Sequence, residues 1–137
     1  MADDLPDLPA RPDTLFVYGT LRFPEVLRAV LGRVPAGAPA LAPGWRAAAL
    51  EHRAYPGLVA SPGSTTRGVL LADLTVAEWR LLDAYEGAEY DLRRIALEGG
   101  TPYGWTYVWS GTAGVLPATW DAEAFHTHQL DTFLTLI

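Results

Sequence analysis

Residues 75–87, TVAEWRLLDAYEG, spell one helix with both of its ends marked. Thr75 and Glu78 have the S/T-x-x-E spacing of a capping box, in which each side chain satisfies the other residue's backbone N–H. Gly87 stands where a chain leaves a helix. The constraint comes from what flanks this helix. WRAAALE (45–51), GLVASP (57–62) and RGVLLADL (67–74) precede it, and YDLRRIALE (90–98) and GWTYVWS (104–110) follow, joined by the turn signal GGTP. These pieces are short, extended in character and bounded by Gly, Pro or Ser. Strands clustered around a helix without regular βαβ alternation predict an α+β fold, a small mixed β-barrel or sheet flanked by helices.

The rest of the chain fits that plan. TLFVYGTL (14–21) has the content of a buried strand ending at Gly19-Thr20, and Pro24 opens a helix through PEVLRAVLG that Gly32 stops. VPAGAPALAPG (34–44) reads as a connector, and WDAEAFHTHQLDTFL (120–134) as a last helix. MADDLPDLPARPD is acidic and proline-rich, which predicts a disordered leader over 1–13 and a single domain over 14–137.

Composition removes several chemistries. The chain has no cysteine, and its ten basic residues are all arginines. Disulfides, thiolate catalysis, lysine Schiff bases and a P-loop are therefore excluded. A net charge of −6 without a basic patch argues against nucleic acid and anionic membranes as partners. No apolar run approaches the roughly 18 residues of a membrane span, and no export signal is visible, so a cytoplasmic location is expected. His126 and His128 are two apart on a helix, roughly 200° around it, and His52 is isolated, so neither a metal nor another cofactor is expected. Ser61, Ser64 and Ser110 lack a nucleophile-elbow context, and the five tryptophans read as packing.

The stretch LDAYEGAEYDLRR holds four carboxylates, which helical geometry separates. Glu86 lies seven positions after Trp79, within roughly 20° of it around the axis, and four after Leu82. It is thus on the apolar stripe of the 75–87 helix. Asp83 is on the flank of the stripe, and Glu89 and Asp91 lie beyond the helix; all three read as surface acids. An inward carboxylate costs several kcal/mol unless it is paired or keeps its proton. Glu86 is therefore either ion-paired, to Arg93 or Arg94, or a general acid/base; the two arginines fall on opposite faces of a strand, and the sequence does not choose between them. A second constellation is VYGTL: a glycine at a strand end followed by a helix start presents backbone N–H groups suited to a carboxylate or phosphate, with Arg22 placed to add a charged contact.

Together FVYGTLRFPEVLRAVLGR (16–33), YPGLVASPG (55–63), RGVLLADLTVAEWRLLDAYEGAEYDLRR (67–94), YVW (107–109) and WDAEAF (120–125) resemble the gamma-glutamylcyclotransferase-like superfamily, in its branch of plant avirulence-induced proteins. The resemblance implies a small mixed β-barrel flanked by helices. It implies an enzyme that needs no cofactor and acts on a small-molecule γ-glutamyl amine or peptide, converting it to 5-oxoproline and the free amine. The family's catalytic carboxylate corresponds to Glu86 and its substrate loop to Tyr18, Gly19, Thr20 and Leu21, while Arg22 and Tyr90 are further candidates for substrate contact. Two other readings remain open: removal of a γ-glutamyl protecting group in a biosynthetic pathway, and a non-catalytic domain of the same fold that binds a small acid or a protein.

Overall fold

A computed structural model describes residues 14–137; the leader expected over 1–13 lies outside them. The elements run β1 (Leu15–Val17), α1 (Pro24–Leu31), β2 (Gly37–Leu50), β3 (Gly57–Leu71), α2 (Val76–Glu86), β4 (Tyr90–Ala96), β5 (Tyr103–Trp109), β6 (Val115–Thr119), α3 (Ala122–His128) and α4 (Leu130–Leu136). Single 3-10 turns occupy Thr20–Arg22 and Gly87–Glu89. The six strands form one sheet in the order β4-β5-β1-β3-β2-β6, antiparallel except where β1 runs parallel to β5. Glu98, just past β4, exchanges backbone hydrogen bonds of 2.8 and 3.0 Å with Leu41 of β2. The two halves of the sheet therefore curl toward each other into a half-barrel, with helices packed outside, as the α+β reading expects.

Alternation along β1 divides the core. Leu15 and Val17 join a cluster shared with Val26 and Leu27 of α1, Trp79 and Leu82 of α2, and Phe125 and Leu130 near the C-terminus. Phe16 and Tyr18 face the other way, into the curl, against Ala42, Leu58, Leu97 and Val108. A strand dry on both faces reads as an unbroken apolar run, which is why LFVY shows no polar alternation. Beside it, buried Thr106 of β5 satisfies its hydroxyl on the Phe16 carbonyl at 2.9 Å.

Four boundaries differ from the sequence reading. The 34–44 connector is the first half of β2. Leu41 donates its N–H away from β3, to Glu98, so Pro39 and Pro43, two positions either side, direct their missing donors to the same sparsely paired edge. The segments 57–62 and 67–74 are joined in one strand, Gly57–Leu71, because the residues between them are absorbed beside the β2–β3 register shift between Pro43 and Trp45. β6 contains Pro117 and was not expected; it is a short edge strand registered to β2 only at Ala48 and Leu50. The last helix breaks at Gln129 (φ −128°), giving α3 and α4.

Gly68 sets the closest approach of β3 to β1. A Cβ there would lie 2.5 Å from the Val17 carbonyl oxygen and 2.7 Å from the Phe16 ring. Because the carbonyl is backbone at the centre of the sheet, it cannot step aside. Gly68→Ala is expected to lower stability by about 2 kcal/mol or more, whereas exposed Thr65→Ala stays within about 0.5 kcal/mol. Denaturant midpoints at constant m-value measure both.

Candidate active site

α2 carries two acids that meet opposite fates. At its start the capping box is formed: Thr75 Oγ1 accepts from the Glu78 N–H at 3.1 Å, and Glu78 Oε1 accepts from the Thr75 N–H at 3.0 Å. Glu78 is also held by Arg33, whose Nη2 donates to Oε1 at 2.7 Å, and this hydrogen bond keeps the carboxyl below its usual range. At the other end, Glu86 follows fully buried Trp79 and Leu82 down the same face, as the helical spacing requires. It has no hydrogen bond or ion pair to any described residue. Burial pushes its pKa up to about 8, with the like charge of Asp83 one turn earlier as the second cause.

Glu86 borders a cavity of about 200 Å³, and so do Tyr18, Gly19, Thr20 and Leu21. The residue as a whole is half-buried, with the cavity on one side of it, and its carboxyl is the part most removed from water. Gly19 is required here by space: a Cβ would come within 2.9 Å of the Pro56 ring. Thr20 Oγ1 and Tyr85 Oη share a hydrogen bond of 2.7 Å, tying the loop to the last turn of α2 and thereby to Glu86. Tyr90 also borders the cavity, and its hydroxyl donates to the Pro56 carbonyl at 2.6 Å rather than to Glu86. The Tyr18 hydroxyl donates to the Tyr107 carbonyl at 2.6 Å and accepts from the Leu58 N–H at 3.2 Å. By contrast, the Tyr107 hydroxyl is buried on the cavity wall without a partner among the described residues. Burial raises the pKa of Tyr18, Tyr85, Tyr90 and Tyr107, so all four remain neutral O–H groups near pH 7.

Of the residues singled out in the sequence, Tyr18, Gly19, Thr20, Leu21, Glu86 and Tyr90 come together around this cavity. Arg22 does not: it borders a separate cleft. The reason is the 3-10 turn, in which side chains two positions apart are rotated by about 240°, so Arg22 leaves the side that Thr20 faces. Arg93 and Arg94 are both exposed, and the Arg94 guanidinium lies 5.1 Å over the Tyr103 ring instead of pairing with Glu86. Glu89, read as a surface acid, is instead a half-buried anchor, ion-paired to Arg53 and accepting from the Tyr55 hydroxyl at 2.9 Å. Asp91 is exposed and accepts from Ser110 at 2.8 Å. Tyr55, Tyr85, Tyr107 and Phe133 line the cavity and were not singled out. Only Tyr85 had a local signal, as the neighbour of Glu86 in the helix; the others arrive from elements distant in sequence. Among the described residues, no group of three His, Asp or Glu side chains is arranged to hold a metal. Nor is any helix among the described residues long and apolar enough to cross a membrane.

A carboxyl at about 8 in the fold and near its ordinary 4.5 when unfolded keeps a proton that the unfolded chain releases between those values. Folding stability therefore falls as pH rises through this window. Glu86→Gln is expected to match the parent protein near pH 4.5 and to exceed it at pH 8 by roughly 1–3 kcal/mol, a range reduced for the partial solvation the cavity allows. Thermal melts across pH measure the difference; a gap that does not grow with pH contradicts the buried, unpaired state of Glu86.

Comparison with known proteins identifies the family and the fold. Residues 15–123 match the family model described as gamma-glutamyl cyclotransferase, AIG2-like. AIG2-like protein C of Arabidopsis thaliana is 32% identical over 126 residues, spanning 88% of this chain and 73% of that protein. AIG2-like protein D of the same plant is 28% identical over 129 residues, spanning 90% and 85%. A solution structure of another Arabidopsis thaliana protein superposes with a TM-score of 0.68 at 29% identity, covering 90% of this chain and 86% of that one. A structure described as gamma-glutamyl cyclotransferase shares the fold, with a TM-score of 0.62 at 14% identity over 72% of this chain and 66% of its own. With its family match running through the loop at 18–21 and the end of α2, the chain belongs to the gamma-glutamyl cyclotransferase, AIG2-like family.

Proposed function

We propose that this protein is a cyclotransferase that converts a small γ-glutamyl amine or peptide into 5-oxoproline and the free amine. The observation that carries the reading is one unpaired carboxyl, Glu86, with its pKa raised to about 8, bordering the same cavity as the 18–21 loop. The first N–H groups of the 3-10 turn have no partner within the turn, so they suit the substrate's α-carboxylate. Anchoring that end beneath Glu86 curls the substrate so that its α-nitrogen approaches its own γ-carbonyl, an intramolecular geometry worth several kcal/mol.

Glu86 in its ionised form takes a proton from the α-ammonium. The freed nitrogen adds to the γ-carbon, forming the ring C–N bond and a tetrahedral oxyanion. As the carbonyl re-forms, the original amide C–N bond breaks and the amine leaves with the proton that Glu86 returns. The carboxylate so regenerated takes the extra proton from the ring nitrogen, which leaves the neutral lactam of 5-oxoproline, and passes it to the released amine. A base with a pKa near the working pH is suited to both transfers. The unpartnered Tyr107 hydroxyl supplies an O–H donor for the oxyanion or the α-carboxylate without adding a competing base.

The test is incubation with a panel of γ-glutamyl amines and dipeptides, with 5-oxoproline quantified chromatographically. Product is expected from at least one member, falling at least about 10²-fold in Glu86→Gln. Activity should rise with pH along a limb near 8, and Asp83→Asn should move that limb to lower pH by removing the like charge. Failure of every substrate, or undiminished turnover by Glu86→Gln, overturns the proposal.

A further inference from the structure

The cleft that takes Arg22 away from the Glu86 cavity has a composition of its own. It has a volume of about 350 Å³ and is bordered by Arg22, Arg46, Arg67, Trp45, Trp120 and Thr65, with no Asp or Glu on its walls among the described residues. The chain as a whole has sixteen acids against ten arginines and a net charge of −6. Three of those ten arginines nevertheless border one concave site that excludes acids. Of the three, Arg46 has a structural task in holding β6, whereas Arg22 and Arg67 have no such tie among the described residues.

The three come from separate elements. Arg22 ends the 3-10 turn after β1, Arg46 lies on β2 and Arg67 on β3. Arg46 is pinned without being neutralised: Nη1 donates to the Pro117 and Ala118 carbonyls at 3.2 Å, and Nη2 to the Leu116 carbonyl at 3.1 Å. Arg22 and Arg67 form no ion pair among the described residues. The wall itself is fixed, since Thr66 donates to the Trp45 carbonyl at 2.7 Å and the Trp120 indole N–H donates to the Ala54 carbonyl at 2.8 Å. Both tryptophans are half-buried, so part of each remains as apolar surface on the cleft.

We propose that this cleft binds a small organic oxyanion, its carboxylate or phosphate on Arg22, Arg46 and Arg67 and its flat or apolar body against Trp45 and Trp120. Guanidinium groups match oxyanions through paired N–H donors, and such charge-assisted bonds are the stronger kind. The volume suits a small molecule, and the overall negative charge opposes a polyanion. Tyr18 borders both this cleft and the Glu86 cavity, and its hydroxyl is held by the Tyr107 carbonyl and the Leu58 N–H.

The test is an ¹H–¹⁵N NMR titration of the full chain with inorganic phosphate, phenyl phosphate and phenylacetate, ionic strength being held constant with sodium chloride so that screening does not vary. Saturable shifts are expected at Arg22, Thr65, Arg67 and the Trp45 and Trp120 indoles, with phenyl phosphate tighter than inorganic phosphate. The order of phenyl phosphate and phenylacetate then assigns the head group as phosphate or carboxylate. An Arg22→Gln/Arg67→Gln double variant should weaken binding about tenfold or more, given roughly 1.5–3 kcal/mol for each charged hydrogen bond. Arg46 is left intact because it holds β6, and an unchanged spectrum away from the cleft shows that the variant is folded. Shifts that fail to saturate, that chloride alone reproduces, or that persist undiminished in the double variant overturn the proposal. Because binding is read directly, the result is independent of any turnover at Glu86.

Discussion

Three residues of β1 being dry on both faces is the constraint from which the rest of the molecule follows. Leu15 and Val17 must be covered by helices, and Phe16 by the opposing half of the curled sheet. Covering both faces requires α2 to lie across one side while β2, β3 and β4 wrap the other. Gly68 gives the measure of how tight that wrapping is. Where β1 ends, the chain must leave a fully buried layer at once. It does so through Gly19, against Pro56, and the abrupt exit opens the cavity beside the last turn of α2.

The same helix shows how burial and pairing divide the work of electrostatics. Glu78 and Glu86 lie two turns apart on α2, and both are removed from bulk water to some degree. A guanidinium and a backbone N–H meet Glu78, so its charged form is favoured. Among the described residues nothing of opposite charge meets Glu86, so its neutral form is favoured. The fold tolerates the second arrangement because the cavity lets water reach part of the residue, which limits the desolvation cost. Around it the Thr20–Tyr85 and Tyr90–Pro56 hydrogen bonds join the loop, the helix and the sheet into one frame.

Much of this was legible in one dimension because it depends on short-range periodicity. The capping box, the glycine stop and the inward projection of Glu86 are properties of a single helix, where spacing is geometry. The strand character of 15–17 and 103–109 was legible for the same reason. The errors cluster where a local signal met a distant partner. Pro39 and Pro43 looked like breakers until their missing donors were seen to face a sparsely paired edge, and the gap at 63–66 looked like a break between strands until β2 accommodated it beside a register shift. Glu89 looked like a solvated acid until Arg53 and Tyr55 converged on it from more than thirty positions away.

By itself the sequence determined the α+β class, the ends of α2, the absence of cysteine and lysine chemistry, and the one acid that helical spacing turns inward. Tertiary structure decided which side chains share a cavity. Tyr55, Tyr85, Tyr107 and Phe133 line one cavity with Glu86, whereas Arg22, adjacent in sequence to the loop that lines the cavity, is carried to another cleft by a single 3-10 turn. The physical reason is that direction within one element follows from its repeat, which is written in the order of residues. Proximity between elements is set by how sheet curvature and helix packing satisfy all the buried surfaces together, and no local pattern encodes that.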